Sequence, residues 1–461
     1  MRLSLAEVLT ATGGRTTGTT PPESRSFLSY HTSSVEARPG GLFFALKGAS
    51  LDGHAFCTDA VDRGAIGVVI DRDVEVQGAA VIKVADAWRA LYDVAAHVLR
   101  RVSPLVVGVT GSNGKTSTKE MTAAVLGVHH RVLKSEGNLN TETGLPLTLL
   151  RLEPHHTAAV LEMGMQRPGE IARLADLARP RIGIVTMVGS VHLEYFDSPE
   201  ALARAKGELV RALPPDGLAL LNAEDEWFGL LSDLSAAPVL GFGMDAGDFQ
   251  AQTWRPLPAG GSVLTVDGVE VLIGLDGRHQ ARNALAALAA GRFAGIPLAE
   301  AAGALAGVRV GQRLQVIPTR GGYTVVDDSY NASPESMLAA FELLTERPRS
   351  GRLLALLGEM RELGQAAPFA HESIGRRARD VFDKVAVVDL GHGRLLAQAA
   401  GGDLLPDKPA AVRWACDHAQ PGDVLLLKAS HGVGLHEIVH ELVGAGKTNR
   451  DVGLLGGPPC P

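Results

Sequence analysis

The 461-residue sequence has few cysteines, no long apolar run and no excess of positive charge. Its three cysteines, Cys57, Cys416 and Cys460, are far apart and match no metal-binding or redox spacing. No window reaches about 18 uninterrupted apolar residues, and the first residues lack the apolar core of a signal peptide. The net charge of −7, with both signs interspersed, disfavours nucleic acid as a partner. We therefore expect a cytoplasmic protein with no transmembrane segment and no polynucleotide ligand.

The chain is long enough for about three domains of about 150 residues each. An amphipathic helical pattern ends at Ser103-Pro104, which marks the first boundary. Strand and helix patterns then alternate, as is typical of a mainly parallel sheet covered on both faces. Further apolar strands lie between Tyr323 and Leu427, without a dinucleotide-binding glycine fingerprint. The sequence predicts an α/β protein with three domains and a tail. We expect an N-terminal domain at 1–103, a central P-loop-type domain with a mainly parallel sheet at 104–311, a Rossmann-like C-terminal domain at 312–447 and a flexible tail at 448–461.

A strand, a glycine-rich loop and a helix follow one another between Pro104 and Gly127. In such a loop, backbone N–H groups surround a polyphosphate at a helix N-terminus, a lysine neutralises phosphate charge and a threonine holds Mg²⁺. The first glycine of the strict pattern is replaced by Val109, so the match is a variant, and an ordinary strand–helix turn is the alternative. We favour nucleotide binding by the loop residues Gly111, Ser112, Asn113, Gly114, Lys115, Thr116 and Ser117.

Three polar residues follow other predicted strands and are candidates for the same edge of the sheet. Glu162 ends a buried strand, where a carboxylate is unfavourable unless it faces a metal, a partner or water. His192 lies beyond the next strand, and Lys206 lies on a helix predicted from Ala201 to Leu213. Ligands of open α/β sheets bind at the carboxyl ends of the strands. Each residue alone has an ordinary alternative: an ion-paired strand end, a loop histidine bound to the backbone, and a solvated lysine.

A series of motifs along nearly the whole chain occurs in the order seen in the Mur ligases, the ATP-dependent amide ligases of peptidoglycan precursor synthesis. After the glycine loop the series contains Asn138-Leu139-Asn140 with Gly144-Leu145-Pro146, Glu162-Met163-Gly164, His192-Leu193-Glu194, Ala205-Lys206-Gly207-Glu208, Gly277-Arg278-His279 with Asn283, and Asp327-Asp328-Ser329. Further motifs resemble the member that adds D-alanyl-D-alanine: Tyr330-Asn331, Lys47-Gly48 with Asp52-Gly53-His54, and Gly358-Glu359-Met360 with Glu362-Leu363-Gly364.

The resemblance implies an ADP-forming ligase that joins D-alanyl-D-alanine to UDP-N-acetylmuramoyl-tripeptide, with ATP and Mg²⁺. ATP would phosphorylate the tripeptide carboxylate, and the dipeptide amine would displace phosphate from the acyl phosphate. The resemblance further implies a monomer whose domains close during catalysis. It implies catalytic roles for Lys115, Glu162, His192 and Lys206, and metal binding by Thr116, Glu162, His192 and a carbamylated Lys206. It implies nucleotide contacts at Asn283, Arg313 and Asp328, and substrate contacts at Ser33, Ser34, Lys47, Asp52, Asn138, Asn140, Thr141 and Asn331.

Three positions depart from the pattern of the Mur ligases. The family's Asp-Ser-Arg near the N-terminus is Ser33-Ser34-Val35 here, and its His-Asn pair is His279-Gln280, in which glutamine presents the same amide one carbon further out. The usual Lys-Gly-Ser-Arg is Lys428-Ala429-Ser430-His431, which replaces a permanent cation by a titratable ring.

Other protein classes remain as alternatives. A folylpolyglutamate-type ligase would not be expected to carry the N-terminal domain. A P-loop kinase would be expected to show a lid or an acceptor-binding arginine cluster after the loop. A non-catalytic UDP-sugar-binding homologue would be expected to lose Lys115 or Glu162, and the chain has both.

Overall fold

The computed structural model describes residues 1–17, 26–257, 260–311, 313–347, 349–389 and 391–444. The flexible tail predicted at 448–461 lies outside these residues. The described chain forms three successive α/β units, each built around its own main sheet, and the predicted α/β class is confirmed. The domain boundaries stay predictions. Within the described ranges, no helix combines the length and apolarity needed to cross a bilayer.

The N-terminal unit consists of a mainly parallel sheet and a short antiparallel ribbon. Its elements are β1 (Leu3–Ser4), α1 (Leu5–Thr12), β2 (Arg15–Thr17), β3 (Ser26–Phe27), β4 (Ser29–His31), β5 (Gly41–Phe44), α2 (Cys57–Asp62), β6 (Ala65–Ile70), β7 (Ala80–Lys83) and α3 (Ala87–Val102). The sheet order is β2-β7-β6-β5-β4, and β1 pairs with β3. Asp86 caps α3 by accepting from the Arg89 N–H, and the helix stops before Pro104, close to its predicted ends.

The central unit is larger and contains the glycine loop. Its elements are β8 (Leu105–Thr110), α4 (Lys115–Leu126), β9 (Val132–Lys134), α5 (Gly144–Leu149), β10 (Ala158–Glu162), α6 (Glu170–Ala178), β11 (Ile182–Val185), α7 (Pro199–Lys206), α8 (Glu208–Arg211), β12 (Leu218–Asn222), α9 (Phe228–Asp233), β13 (Val239–Gly243), β14 (Phe249–Gln250), β15 (Thr253–Pro256), β16 (Ser262–Val266), β17 (Val269–Ile273), α10 (Arg278–Phe293) and α11 (Leu298–Leu305). Strands β15 to β17 form a separate antiparallel sheet.

The order of the main central sheet, β14-β13-β12-β11-β8-β10-β9, brings the predicted site residues to one edge. All of its neighbouring strands pair in parallel, and Glu162 at the end of β10 lies opposite Val109 of β8. Strand β8 is buried on both faces because Val107 and Val109 belong to a core with α4 and α10, whereas Val106 belongs to a core shared with the N-terminal unit. The carboxyl ends of β10, β8 and β11 therefore meet, as predicted from the strand order.

The helix predicted from Ala201 to Leu213 is wrong in one respect, because it is divided at Gly207 into α7 and α8. A Cβ at Gly207 would lie 2.5 Å from Leu234 Cδ1, so a side chain there would require Leu234 to move. The division makes Lys206 the last residue of α7 rather than a residue in mid-helix.

The C-terminal unit is a six-stranded sheet with helices on both faces. Its elements are β18 (Gln315–Pro318), β19 (Thr324–Asp327), α12 (Pro334–Glu346), β20 (Leu353–Gly358), α13 (Ala367–Val381), β21 (Lys384–Val388), α14 (Gly393–Ala400), β22 (Asp403–Leu405), α15 (Lys408–His418), β23 (Val424–Lys428) and α16 (His436–Val443). The order is β18-β19-β23-β20-β21-β22, parallel except at the β18 edge. The four predicted strands are confirmed. The two outer strands were missed because they are short and partly exposed, and β18 contains a proline.

Candidate active site

The loop between β8 and α4 requires glycine at two positions. Gly111 has φ +146°, and a Cβ there would lie 1.9 Å from Thr186 Oγ1. Gly114 has φ +83° and precedes the first residue of α4, and its Cβ would lie 2.8 Å from Asn283 Oδ1. Both backbones are in a region that side chains disfavour. Val109, where the strict pattern has glycine, is a fully buried strand residue. The variant loop thus retains the two glycines that its surroundings demand.

Lys115 folds back over the loop. Its Nζ donates to the carbonyl oxygens of Gly111 at 2.7 Å and Ser112 at 3.1 Å, which places a cation beside the N-terminus of α4. Burial lowers the pKa of Lys115, and the nearby Glu162 carboxylate opposes that change. A helix N-terminus with free N–H groups and an adjacent lysine is suited to a phosphate group.

Glu162 and Thr116 present oxygen atoms that fit a magnesium ion, and two nitrogen groups lie beside them. Thr116 Oγ1 donates to Glu162 Oε2 at 3.0 Å, and Asn140 Nδ2 donates to Oε1 at 2.8 Å. Lys119 Nζ is 4.0 Å from Oε2 and donates to the Ser135 carbonyl at 2.7 Å. Mg²⁺ prefers hard oxygen ligands and usually takes only one or two carboxylates, with water and phosphate completing its shell. The hydroxyl of Thr116 and the carboxylate of Glu162 meet that requirement.

Lys206 is only 1% exposed, so the alternative of a solvated helix lysine is wrong. Within the part of the chain that the structure describes, its Nζ makes no hydrogen bond or ion pair. Burial lowers the pKa of the Lys206 amine well below its usual value, and the positive charge of Lys115 acts in the same direction. Loss of the proton is therefore easier for Lys206 than for an exposed lysine.

His192 follows β11 with φ +70° and contacts the C-terminal unit. Its Nδ1 lies against the Glu362 carboxylate. The alternative interpretation, a loop histidine bound to the backbone, is therefore wrong, because the partner is a side chain. The neighbouring His192 lowers the pKa of Glu362 despite the partial burial of that carboxyl group, although His192 Nδ1 makes no hydrogen bond of standard geometry with a described residue. Gln166 Nε2 is 3.5 Å from the other carboxylate oxygen. This pairing was not predicted, because the two residues are far apart in sequence.

All three units contribute to a cleft of about 1330 Å³. Trp88 comes from the N-terminal unit, and Arg361 and His431 come from the C-terminal unit. A smaller cavity of about 180 Å³ shares the glycine loop with it. The predicted residues on the cleft are Ser112, Asn113, Gly114, Lys115, Thr116, Asn138, Asn140, Thr141, Glu162, His192, Arg313 and Asn331. Those on the smaller cavity are Asn113, Gly114, Thr116, Ser117, Asn283, Arg313 and Asp328.

Contacts between the central and C-terminal units surround the smaller cavity. Asn113 Nδ2 donates to Ser333 Oγ at 2.9 Å, which joins the glycine loop to the start of α12. Glu335 Oε1 accepts from both the backbone N–H and the hydroxyl of Ser190, each at 2.9 Å. The wall of this cavity therefore depends on how the two units are held together.

Four predicted substrate residues, Ser33, Ser34, Lys47 and Asp52, line neither cavity as the described residues define them. Asp52 accepts from the His54 backbone at 3.0 Å and from its ring Nδ1 at 2.7 Å, and it pairs with Arg72. The Lys47 carbonyl accepts from Trp88 Nε1 at 3.1 Å, which places Lys47 next to the cleft wall. The geometry gives no support to substrate binding by Ser33, Ser34 or Asp52, and their roles stay predictions.

Comparisons with known proteins agree along the chain. Three family models match: Mur ligase family, catalytic domain, at residues 26–129; Mur ligase middle domain at 109–291; and Mur ligase, glutamate ligase domain, at 312–431. The UDP-N-acetylmuramoyl-tripeptide–D-alanyl-D-alanine ligase of Bacillus subtilis is 37% identical over 419 residues, which cover 87% of this chain and 90% of the relative. The chain belongs to the Mur ligase family.

Solved structures of Mur ligases share the fold. MurF of Acinetobacter baumannii matches with a TM-score of 0.88 at 26% identity, covering 96% of this chain and 99% of that chain. The MurF ligase of Thermotoga maritima, in complex with ADP, matches with a TM-score of 0.80 at 30% identity, covering 89% and 96%. The predicted arrangement of a central P-loop-type sheet and a Rossmann-like C-terminal unit is confirmed.

Two departures from the Mur ligase pattern can be placed on the cavities. Gln280 lies in the first turn of α10, where its Oε1 accepts from Asn283 Nδ2 at 3.2 Å, so its amide orients the residue that packs against Gly114. His431 is stacked on His436 with ring centroids 5.0 Å apart, and its ring lies 5.8 Å from Tyr330 on the cleft wall. The replacement of arginine by His431 therefore leaves a planar, stacked ring facing the cleft.

Two buried lysines of this Mur ligase, Lys428 and Lys119, make contacts that the sequence did not predict. Lys428 ends β23, donates to Asp328 Oδ2 at 2.5 Å and to the Asn331 carbonyl at 3.1 Å, and thereby neutralises a carboxylate of the smaller cavity. Lys119 pairs with Glu120 at 3.1 Å, and its Nζ lies 4.0 Å from the Glu162 carboxylate. A charge at the end of a buried strand needs a partner, as was argued for Glu162. The same reasoning predicts a partner for Lys428 at the end of its strand. Lys119 gave a weaker signal, one helical turn after Lys115.

Proposed function

We propose that this chain is an ATP-dependent, ADP-forming ligase that joins D-alanyl-D-alanine to UDP-N-acetylmuramoyl-tripeptide in peptidoglycan precursor synthesis. The observation that carries the proposal is the convergence of Lys115, Thr116, Glu162 and His192 on one cleft whose walls come from three units. The Bacillus subtilis relative bears the name of this activity, and the match covers 90% of its length. A cytoplasmic location and a monomeric state belong to the same proposal.

The site is organised to bring anions together. A carboxylate does not condense with an amine in water without activation, so the tripeptide carboxylate attacks the γ-phosphoryl group and releases ADP. Lys115 and the N-terminus of α4 neutralise charge that would keep the two anions apart, which is the main source of catalysis in phosphoryl transfer. Thr116 and Glu162 would hold Mg²⁺, which supplies further positive charge when bound.

Lys206 is proposed to carry a carbamate. A protonated lysine has donors only and cannot bind a metal ion. Its neutral amine can attack CO₂, forming an N–C bond and losing one proton to solvent, which yields an anionic carbamate. The burial of Lys206 and the absence of any partner for its Nζ among the described residues support this step. With His192, the carbamate would hold a second Mg²⁺.

The residues that line the two cavities suit the substrates in their chemistry. In the proposal, the nucleoside part of ATP occupies the smaller cavity and contacts Asn283, Arg313 and Asp328. The muramoyl-tripeptide occupies the larger cleft beside Asn138, Asn140 and Thr141, and the dipeptide amine enters from the side of the C-terminal unit. Asn331 faces the same cleft. The uridine end would extend towards the N-terminal unit.

The reaction class is tested by following three products together. We expect ADP, phosphate and the new amide to form in equal amounts, and only when ATP, Mg²⁺, UDP-N-acetylmuramoyl-tripeptide and D-alanyl-D-alanine are all present. Omission of each component in turn provides the controls. Transfer of the γ-phosphoryl group to a stable product without amide formation would show that the chain is a kinase.

A further inference from the structure

Two loops from different units hold one another beside the cleft. His192, in the loop after β11, contacts Glu362, in the loop after β20. The Glu194 N–H donates to the Glu362 carbonyl at 3.4 Å. Gly364 has φ +55°, and a Cβ there would lie 2.9 Å from Glu194 Cα. The contact between the imidazole and the carboxylate is therefore supported by backbone contacts on both sides.

Both partners have unusual backbones. His192 has φ +70° and Glu362 has φ +64°, values in the left-handed region that residues other than glycine rarely adopt. Such conformations persist where the surroundings fix them, and they occur often at functional sites. Here they direct the two side chains at each other across the boundary between the units.

The contact determines which ring nitrogen of His192 is available. A neutral imidazole carries its proton on one nitrogen and a lone pair on the other. His192 Nδ1 lies beside the Glu362 carboxylate but makes no hydrogen bond of standard geometry among the described residues. An Nδ1–H turned towards that carboxylate would donate to it, which would leave the lone pair on Nε2 free to bind a cation. Histidines that bind metals commonly donate their second N–H to a carboxylate in this way.

We propose that Glu362 is a positioning residue that fixes the tautomer and orientation of His192 for a divalent cation in the cleft. The C-terminal unit thereby completes a cation site whose other members lie on the central unit. The inference rests on the proposed function, in which His192 is a metal ligand. Gln166, on the other carboxylate oxygen, adds a second hydrogen bond that holds Glu362 in place.

The test measures Mn²⁺ affinity in the presence of ADP, without turnover, by electron paramagnetic resonance. We expect Glu362→Ala to weaken Mn²⁺ binding about 10- to 100-fold, which is typical of losing such a partner. Glu362→Gln keeps an oxygen that accepts from Nδ1–H and should retain most of the affinity. Glu437→Gln is the matched control, because Glu437 pairs with Lys408 in the same unit and lines neither cavity as described. Thermal unfolding of every variant confirms that it is folded.

A double-variant cycle separates positioning from a merely structural contact. If Glu362 acts through His192, Glu362→Ala should cause no further loss of Mn²⁺ affinity in a His192→Ala background. An equal loss with and without His192 would overturn the inference, as would normal Mn²⁺ affinity in Glu362→Ala when His192→Ala is impaired. If neither Glu362→Ala nor His192→Ala changes Mn²⁺ binding, His192 is not a ligand and the inference is wrong. The product assay described above decides separately whether the ligase function stands.

Discussion

Gly114 and Gly169 form a matched pair that tests the structure of the nucleotide cavity. Gly114 precedes α4 with φ 83° and ψ −7°, and Gly169 precedes α6 with φ 85° and ψ −12°. An alanine at either position costs about 1 to 2 kcal/mol because of the left-handed backbone. The surroundings differ, because a Cβ at 114 would lie 2.8 Å from Asn283 Oδ1, whereas no described heavy atom lies within 4 Å of one at 169.

The magnitude follows from how the clash at Gly114 is relieved. The end of the Asn283 side chain can turn away more easily than the backbone can move, so the damage is confined to the smaller cavity. An amide hydrogen bond contributes about 0.5 to 1.5 kcal/mol, and 1.4 kcal/mol corresponds to a tenfold change in affinity. We expect Gly114→Ala to bind ADP roughly tenfold more weakly than Gly169→Ala, although both variants lose similar amounts of stability.

Titration calorimetry with ADP and thermal unfolding measure these two effects separately. The double variant Gly114→Ala/Asn283→Ala should bind ADP no more weakly than Asn283→Ala alone, because the added methyl group then has room. Equal ADP affinity in Gly114→Ala and Gly169→Ala would refute the placement of Asn283 at the nucleotide.

Three further variants test other parts of the structure. Lys115→Met keeps the length but removes the cation, so ADP binding should survive while turnover falls by about 10² to 10³ or more; near-normal turnover would contradict the role of the loop. Lys206→Ala should be nearly inactive, and Lys206→Glu should be partly active at most. The rate of the wild type should depend on dissolved CO₂, and that dependence should be lost in Lys206→Glu. Full activity of Lys206→Ala would disprove the carbamate. Burial would raise the pKa of Asp423, but hydrogen bonds from Arg352 outweigh it and hold that pKa below its usual value near 3.8. The ionised pair therefore adds stability above about pH 4 that is lost as the pH falls, so the melting temperature of Asp423→Asn should lie below that of the wild type at pH 7 and approach it in acid; a gap that stays constant with pH would exclude this account.

The sequence was sufficient to place residues that lie at strand ends. Glu162 and the glycine loop could be assigned to one edge because parallel strands present their carboxyl ends together, and the register of β10 against β8 confirms that edge. The buried state of Lys206 was harder to predict. Its helix packs closely against neighbouring elements, as the 2.5 Å approach of Leu234 Cδ1 to a Cβ at Gly207 shows, and no local sequence pattern reveals such contacts.

Contacts between units could not be predicted from local patterns. The pairing of His192 with Glu362 and the pairing of Ser190 with Glu335 join residues that lie on different units and far apart in sequence. The partners of Asp52 also could not be predicted from its motif. In the structure its carboxylate accepts from the His54 N–H and pairs with Arg72, whereas its contact with substrate stays a prediction.

The shared wall of the smaller cavity has a consequence for inhibitors. Asn283 comes from the central unit, whereas Asp328 and Glu335 come from the C-terminal unit. A molecule seated there touches both units, so by reciprocal linkage it strengthens their association, and whatever strengthens their association raises its affinity. A compound that fills the smaller cavity would therefore stabilise the contact between the two units. A compound confined to the Trp88 side of the larger cleft would not touch both units. Its affinity would therefore not depend on how the C-terminal unit is held.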